Sequence, residues 1–182
     1  MGKNVLILLG SPRKEGNSHL LAKAFAEGAE SAGHTVTYFD AGKGGIAGCM
    51  ACGGCWKTGA PCVQKDRMQE AYPLLEQADV LVITSPLYFF DLNAQVRAVL
   101  DRFYPYGRQE RTSSLHIQES VLLMTAAGVP YKFAGARATY ELMVEYMKWT
   151  DQGMILADGV WDKGNIKTTG FLDQAKALGA AL

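Results

Sequence analysis

The sequence lacks an excess of charge of either sign and lacks a long hydrophobic run. Its 182 residues contain 18 Lys and Arg and 18 Asp and Glu, so the formal net charge is zero. Without a basic excess, charge-driven binding to nucleic acid or to an anionic membrane is not expected. The first apolar run, residues 5–9, is far shorter than the roughly 20 residues that a transmembrane helix needs, and it predicts a strand.

The sequence also lacks the pattern of a secretory signal, since no charged segment followed by an apolar core and a small-residue cleavage site precedes this strand. We therefore expect a cytoplasmic protein in a reducing compartment. No cysteine lies outside residues 49–62, which is unlike a disulfide framework spread through a fold. A local metal, cluster or redox site is indicated instead.

The apolar pattern predicts strands alternating with amphipathic helices. Continuous or alternating apolar segments at residues 5–9, 35–39, 80–84, 121–125 and 154–157 predict five strands. Right-handed crossovers between them give an α/β protein with a doubly wound parallel sheet, in the order 2-1-3-4-5. We expect residues 1–182 to form a single domain, with a cysteine-rich loop at about residues 41–65. Ligands of such sheets bind beyond the carboxyl ends of the first and third strands.

The segment after the first predicted strand combines hydroxyl groups, a cation and two glycines. It reads Gly-Ser-Pro-Arg-Lys-Glu-Gly-Asn-Ser over residues 10–18 and leads into a helix, whose N-terminal N–H groups attract anions. Ser11 and Ser18 can donate hydrogen bonds to phosphate oxygens, and Arg13 can neutralise their charge. The spacing matches neither a Walker A loop nor a dinucleotide fingerprint. The segment predicts a monophosphate site; the plainer alternative is a polar turn whose Ser and Asn cap the helix.

The segment after the third predicted strand is aromatic. Residues 85–93 read Ser-Pro-Leu-Tyr-Phe-Phe-Asp-Leu-Asn and place Tyr88, Phe89 and Phe90 in a loop at the carboxyl edge of the sheet. A proline-anchored aromatic loop offers a flat conjugated ring an apolar surface together with backbone polar groups. The alternative is that the aromatic side chains pack beneath the sheet edge or in a dimer contact.

The four cysteines follow the spacing C-x2-C-x2-C-x6-C at Cys49, Cys52, Cys55 and Cys62. Such compact spacing is typical of loops that hold an iron–sulfur cluster. Tetrathiolate zinc is an alternative, although structural zinc ligands usually come as two separated pairs. Reduced thiols without any metal are a further alternative that the residues leave open.

Residues 10–18 are similar to the phosphate-binding loop of the NADPH-dependent FMN reductase family, a branch of the flavodoxin-like proteins. Ser-Pro-x-Tyr at residues 85–88 is similar to the family segment that holds the isoalloxazine ring, and residues 125–128 resemble a third loop at the flavin edge. The cysteine run resembles that of the iron–sulfur flavoproteins, a sub-branch of the same family. The resemblance implies cofactor-binding roles for Ser11, Arg13, Asn17, Ser18, Pro86, Leu87, Tyr88, Phe89, Ala126 and Gly128.

The resemblance implies an FMN-dependent NAD(P)H oxidoreductase in which FMN carries the chemistry and no side chain is required as an acid or base. The resemblance also implies an electron acceptor that it does not identify, either a small molecule such as a quinone, flavin or nitro compound or a protein carrier, and it implies a homodimer or homotetramer. One alternative is an iron–sulfur flavoprotein electron carrier with a 4Fe-4S cluster on the four cysteines. An alternative of another class is a cofactor-free flavodoxin-like binding module.

Overall fold

The computed structural model describes residues 2–59, 61–107, 115–128 and 130–182. Within these ranges, five parallel strands form one sheet in the order β2-β1-β3-β5-β6, and a short β4 pairs antiparallel with β3. The predicted topology is confirmed, because the predicted fourth and fifth strands are β5 and β6. The strands are β1 (Asn4–Leu9), β2 (Thr35–Asp40), β3 (Val80–Tyr88), β4 (Asp91–Leu92), β5 (Glu119–Thr125) and β6 (Thr150–Ala157).

Helices lie on both faces of the sheet. They are α1 (Asn17–Ser31), α2 (Gly54–Thr58), α3 (Met68–Gln77), α4 (Ala94–Asp101), α5 (Ala134–Met147) and α6 (Phe171–Ala180), with short 3-10 helices at Ala41–Lys43, Tyr104–Tyr106, Pro130–Phe133 and Asn165–Thr168. In the ranges that the structure describes, no helix combines the length and the apolar character needed to cross a bilayer.

The core has two layers because the central strands are covered on both faces. Val5, Ile7 and Leu9 of β1 pack in a cluster with buried residues of α1 and α6. Leu6 and Leu8 pack in a second cluster, with α3, α4 and α5. Each such side chain contributes roughly 1.5–3 kcal/mol when fully buried. This two-sided burial explains why β1 is a continuous apolar run rather than an alternating one.

Helices α1 and α6 pack backbone against backbone. A Cβ atom added at Gly28 would overlap the carbonyl of Lys176, and one added at Gly179 would overlap the carbonyl of Phe25. Only glycine permits this approach, which brings the carboxyl-terminal helix against the helix that begins at the predicted phosphate loop.

Two local predictions are corrected by the structure. Helix α1 has Gly16 at its N-cap position with no side-chain cap, so the expected capping by the loop's Ser or Asn does not occur. The aromatic segment is a hairpin rather than a loop: β3 continues to Tyr88, which pairs with Asp91, and Phe89 and Phe90 form the turn with φ of 48° and 69°. Such a turn usually carries Asn or Gly, so two phenylalanines gave no signal of it.

Candidate functional site

A cavity of about 380 Å³ opens at the carboxyl ends of β1, β3 and β5. Because parallel strands end at one edge of the sheet, segments far apart in sequence meet there. The volume lies within the range typical of small-molecule sites, roughly 300–1,000 Å³. Its lining residues are Ser11, Arg13, Gly16, Asn17, Ser18, Pro86, Leu87, Tyr88, Thr125, Ala126, Ala127, Val160, Trp161 and Lys163.

The β1–α1 loop forms the polar end of this cavity. The backbone N–H of Arg13 donates to the Ser11 hydroxyl over 3.1 Å, and the N–H of Gly16 donates to the Arg13 carbonyl over 3.1 Å. These two bonds fold the loop into a tight turn immediately before α1. The turn places hydroxyl groups, the Arg13 cation and the positive end of the α1 dipole around the same space, an arrangement suited to a phosphate group.

Asn17 fastens a further loop to this turn. Its Nδ2 donates to the carbonyls of Val160 and Asp162 over 3.0 and 2.9 Å, and its Oδ1 accepts from the Gly164 N–H over 2.8 Å. The segment after β6 is thereby held at the cavity, where it contributes Trp161 and Lys163. Sequence reasoning did not assign either residue to the site, because nothing local links a loop near residue 160 to the first loop.

Asn93 joins the two main loops of the cavity. It is buried, its Nδ2 donates to the Gly10 carbonyl, and its Oδ1 accepts from the Ser85 hydroxyl over 3.1 Å. The Ser85 hydroxyl also accepts the Asn93 backbone N–H over 2.9 Å. One buried side chain therefore connects the start of the β1–α1 loop to the segment that carries Pro86 and Tyr88. None of the local sequence motifs assigned a role to Asn93, which ends the aromatic segment at residues 85–93.

Pro86, Leu87 and Tyr88 form a less polar wall of the cavity. Tyr88 and Trp161 are 44% and 74% exposed, so two aromatic side chains line the cavity without being enclosed by the protein. A flat ring can pack against such surfaces. Ala126 also lines the cavity, on the β5 side.

Two predicted residues lie outside the described lining. Phe89 is 96% exposed at the tip of the hairpin. Gly128 accepts a hydrogen bond at its carbonyl from the Gly159 N–H over 3.2 Å, and so supports the segment after β6 rather than facing the cavity. Their roles in cofactor binding stay predictions, as do those of the residues that do line the cavity.

The four cysteines line a second, smaller cavity together with Arg102 and Tyr104. This cavity is about 10 Å³, which is room for about one water molecule. Within the described ranges, no group of three or more Cys, His, Asp or Glu side chains is arranged to hold a metal ion. The four cysteines are therefore gathered around one space, but their sulfur atoms as they stand are not arranged to share a metal ion.

Arg102 is the charged residue buried beside the cysteines, with 1% of its surface exposed. Its Nη1 donates to the Asp66 carboxylate over 2.7 Å and to the Ala47 carbonyl over 2.9 Å. Burial opposes ionisation of Asp66, but Arg102 and the N–H groups of Ala47 and Met68 together hold the pKa of this carboxyl below its ordinary value. Asp66 and Arg102 thus fix the cysteine-rich loop to the end of α4.

Part of the Arg102 guanidinium makes no hydrogen bond of good geometry within the described ranges, although it lies near Cys62 and Tyr72. Its Nε and Nη2 atoms are buried without a hydrogen bond, and so is the hydroxyl of Tyr72. The nearby Cys62 thiol is also affected: burial raises its pKa, but the Gln64 N–H and Arg102 outweigh that effect and lower it. Unpaired buried donors are costly. Together with four thiols around one space, they fit an anionic four-thiolate centre.

The fold is that of a flavodoxin-like α/β protein, and its first cavity has a polar loop at one end. The model of the NADPH-dependent FMN reductase family matches residues 3–162, and the chain belongs to that family. An iron–sulfur flavoprotein from Archaeoglobus fulgidus is 33% identical over 128 residues, which cover 70% of this chain and 57% of the relative. An iron–sulfur flavoprotein from Methanosarcina thermophila is 36% identical over 94 residues, which cover 51% and 48%. The chain therefore spans only about half the length of these relatives.

Solved structures support the fold. The NAD(P)H:quinone oxidoreductase from Methanothermobacter marburgensis superposes with a TM-score of 0.76 at 20% identity, over 99% of this chain and 96% of that one. The FMN-dependent NADH-azoreductase from Bacillus anthracis, solved in complex with FMN, superposes with a TM-score of 0.73 at 13% identity, over 98% of each chain. At these identities, the likeness concerns the fold alone.

Proposed function

We propose that this chain is an FMN-dependent NAD(P)H oxidoreductase, and that residues 1–182 act as one FMN-binding domain. Electrons pass from reduced nicotinamide to FMN and then to an acceptor such as a quinone, a flavin, a nitro compound or a protein carrier. One observation carries the proposal: a single cavity has a polar end built for a phosphate and a less polar wall suited to a flat ring. FMN has this combination of groups, and membership of the FMN reductase family supports the assignment.

The polar end of the cavity would hold the FMN phosphate. Ser11 and Ser18 supply hydroxyl donors, Arg13 supplies a cation, and the first turn of α1 supplies backbone N–H groups. Lys163 adds a second cation from the segment that Asn17 fastens to this turn. The phosphate is thereby anchored at the sheet edge, which fixes the position of whatever is attached to it.

The wall formed by Pro86, Leu87 and Tyr88 would support one side of the ring, with Ala126 at the β5 edge and Trp161 near the opening. When bound, FMN supplies the hydride and electron chemistry, since it accepts two electrons and can release them one at a time. The protein's own residues bind, orient and partly desolvate the ring. No side chain of the cavity is required to transfer a proton.

The decisive experiment is a binding titration of FMN into flavin-free protein, with riboflavin as the phosphate-free comparison. Arg13→Ala removes a charged donor, worth about 1.5–3 kcal/mol, and we expect FMN to bind about 10- to 100-fold more weakly. Lys14→Ala is the matched control, because Lys14 is a cation in the same loop that does not line the cavity. Neither substitution should alter riboflavin binding more than twofold.

Absence of saturable FMN binding would contradict the proposal, and so would equal losses for Arg13→Ala and Lys14→Ala. A second measurement tests the activity: NADH or NADPH is added anaerobically to the FMN-loaded protein, and flavin absorbance is followed. We expect the absorbance near 450 nm, the usual flavin band, to bleach at about one equivalent of nicotinamide. An FMN-loaded protein that neither nucleotide bleaches would be a binding module rather than an oxidoreductase.

A second candidate function is electron transfer by an iron–sulfur flavoprotein. The observation that favours it is the gathering of all four cysteines around one small cavity beside a buried arginine. The curated relatives named above carry that name. Anaerobic purification followed by analysis of iron and acid-labile sulfide tests it. About four iron and four sulfide per chain support a 4Fe-4S cluster. Zinc without sulfide supports the tetrathiolate alternative, and the absence of both supports reduced thiols.

We also propose that the chain assembles as a homodimer or homotetramer. Leu142 and Tyr146 of α5 are 66% and 68% exposed and line an apolar groove with Tyr104, and a partner subunit would cover this surface. Light scattering coupled to size-exclusion chromatography checks the assembly. A monomer at every concentration tested would contradict it.

A further inference from the structure

Arg102 presents two buried hydrogen-bond donors that the protein leaves unused. The side chain is 1% exposed, and its Nη1 atom alone makes the bonds to Asp66 and Ala47. Within the described ranges, Nε and Nη2 have no hydrogen-bond partner, although the same residue lines the cavity that the four cysteines surround. Each buried donor left without a partner costs roughly 1–3 kcal/mol. A structural role in tying the loop accounts for Nη1, whereas the rest of the guanidinium lies near the Cys62 thiol and the Tyr72 hydroxyl without a hydrogen bond of good geometry.

The charge that would satisfy these donors is negative. Four cysteine thiolates around zinc or around an oxidised 4Fe-4S cluster carry a net charge of about −2, because four thiolates outweigh a +2 core. Cys49 and Cys52 are exposed, but on the inner side of the cavity, where Cys55 and Arg102 are buried, such a charge is disfavoured unless a cation lies beside it. Asp66 neutralises part of Arg102, but only through Nη1, so the unused side of the guanidinium remains available to the cavity.

We propose that Arg102 is the positioning residue that neutralises a dianionic four-thiolate metal centre held by Cys49, Cys52, Cys55 and Cys62. Nε and Nη2 donate to the thiolate sulfur atoms, while Nη1 holds the loop through Asp66 and Ala47. Arg102 thereby strengthens metal retention. If the centre is a cluster, Arg102 also stabilises its reduced form, since one added electron makes the centre more negative. The inference concerns this cavity alone and does not require FMN binding.

Arg67 provides a matched control. It too ties the cysteine-rich segment, because its guanidinium donates to the carbonyls of Gly44 and Asp40 over 2.7 and 3.2 Å. It does not line the cysteine cavity. A merely structural requirement for an arginine at the base of the loop would therefore affect both residues alike, whereas neutralisation of the centre concerns Arg102 alone.

The test uses the full chain with Arg102→Gln, Arg102→Lys, Arg67→Gln and Asp66→Asn. Each protein is incubated anaerobically with equal amounts of ferrous and ferric iron together with sulfide in one arm, and with zinc alone in the other. Metal retention is then measured against a chelator, and the cluster potential is measured by anaerobic redox titration. Flavin content, measured separately by absorbance, reports whether the first cavity and the fold persist.

We expect Arg102→Gln to lose metal at least about tenfold more readily, in line with partners that contact metal ligands. In the iron arm it should shift the one-electron reduction equilibrium at least tenfold toward the oxidised form, which corresponds to 59 mV. Arg102→Lys keeps the charge and should restore most of the potential. Asp66→Asn removes the competing anion and should shift the equilibrium toward the reduced form. Arg67→Gln should stay within twofold of the wild type.

Three results would overturn the inference. One is a wild-type chain that retains neither iron with sulfide nor zinc. Another is equal effects of Arg102→Gln and Arg67→Gln on retention and, where a cluster forms, on its potential. The third is a shift toward the oxidised form in Asp66→Asn. If Arg102→Gln does not fold, the iron arm is decided by the direction in which Asp66→Asn shifts the reduction equilibrium. The zinc arm is then decided by Arg102→Lys: if this variant retains zinc at least tenfold less well than the wild type, the charge requirement is refuted. FMN binding can fail or succeed independently of each outcome.

Discussion

Replacing Asn93 with alanine should destabilise the protein and loosen the candidate FMN site together. The substitution removes the donor to the Gly10 carbonyl and the acceptor of the Ser85 hydroxyl, both in a fully buried position. The Gly10 carbonyl loses its buried donor, which costs about 1–3 kcal/mol. The Ser85 hydroxyl keeps the Pro86 carbonyl as an acceptor over 2.7 Å and loses only one bond, worth about 1 kcal/mol, so the free energy of unfolding should fall by about 2–4 kcal/mol. For a chain of this length the melting temperature changes by about 2–4 °C per kcal/mol, which gives a decrease of about 4–16 °C.

Urea unfolding followed by circular dichroism measures the change, with Thr84→Val as the comparison. Thr84 donates a single buried hydrogen bond, from its hydroxyl to the Leu8 carbonyl over 2.8 Å, and valine keeps the side-chain volume. That variant should lose only about 1 kcal/mol. Asn93→Ala should also bind FMN more weakly at temperatures where it remains folded, because Gly10 and Ser85 begin the two loops of the cavity. If Asn93→Ala is no less stable than Thr84→Val, the role assigned to Asn93 is wrong.

Three further predictions concern other parts of the molecule. FMN should quench the tryptophan fluorescence of the wild type, and Trp161→Phe should remove most of this quenching because Trp161 lines the cavity. If the variant is quenched as strongly as the wild type, the flavin binds elsewhere. Gly42→Ala should weaken FMN binding about tenfold, because the added Cβ would overlap the Ser11 carbonyl. Gly28→Ala, at the contact between α1 and α6, should lower only the stability of the fold, and FMN titrations of both folded variants check the difference. The pKa of Asp66 is lowered in the folded chain, so its contribution to stability is present above pH ~4 and is lost as pH falls through the folded pKa. Melting temperatures from pH 3 to 7 should therefore decline less at the acid end in Asp66→Asn, and parallel curves would refute this.

The sequence alone determined the topology and the main loops of the candidate site. Continuous apolar runs separated by amphipathic segments specify parallel strands covered on both faces. Five such strands with right-handed crossovers suit the doubly wound order that the structure has. The hydroxyl, cation and glycine content of residues 10–18 is likewise local, as is the spacing of the four cysteines. These features depend on side-chain polarity and on distances along the chain, which a sequence states directly.

Only the tertiary structure decided which distant residues complete each site. Asn93 reaches Gly10 across 83 positions, Asn17 reaches Val160 across 143, and Arg102 reaches Asp66 across 36. The hairpin tip that turns Phe89 away from the cavity is equally a result of the pairing of β3 with β4. Such contacts follow from sheet register and helix packing, which the whole chain sets together, so no local pattern encodes them.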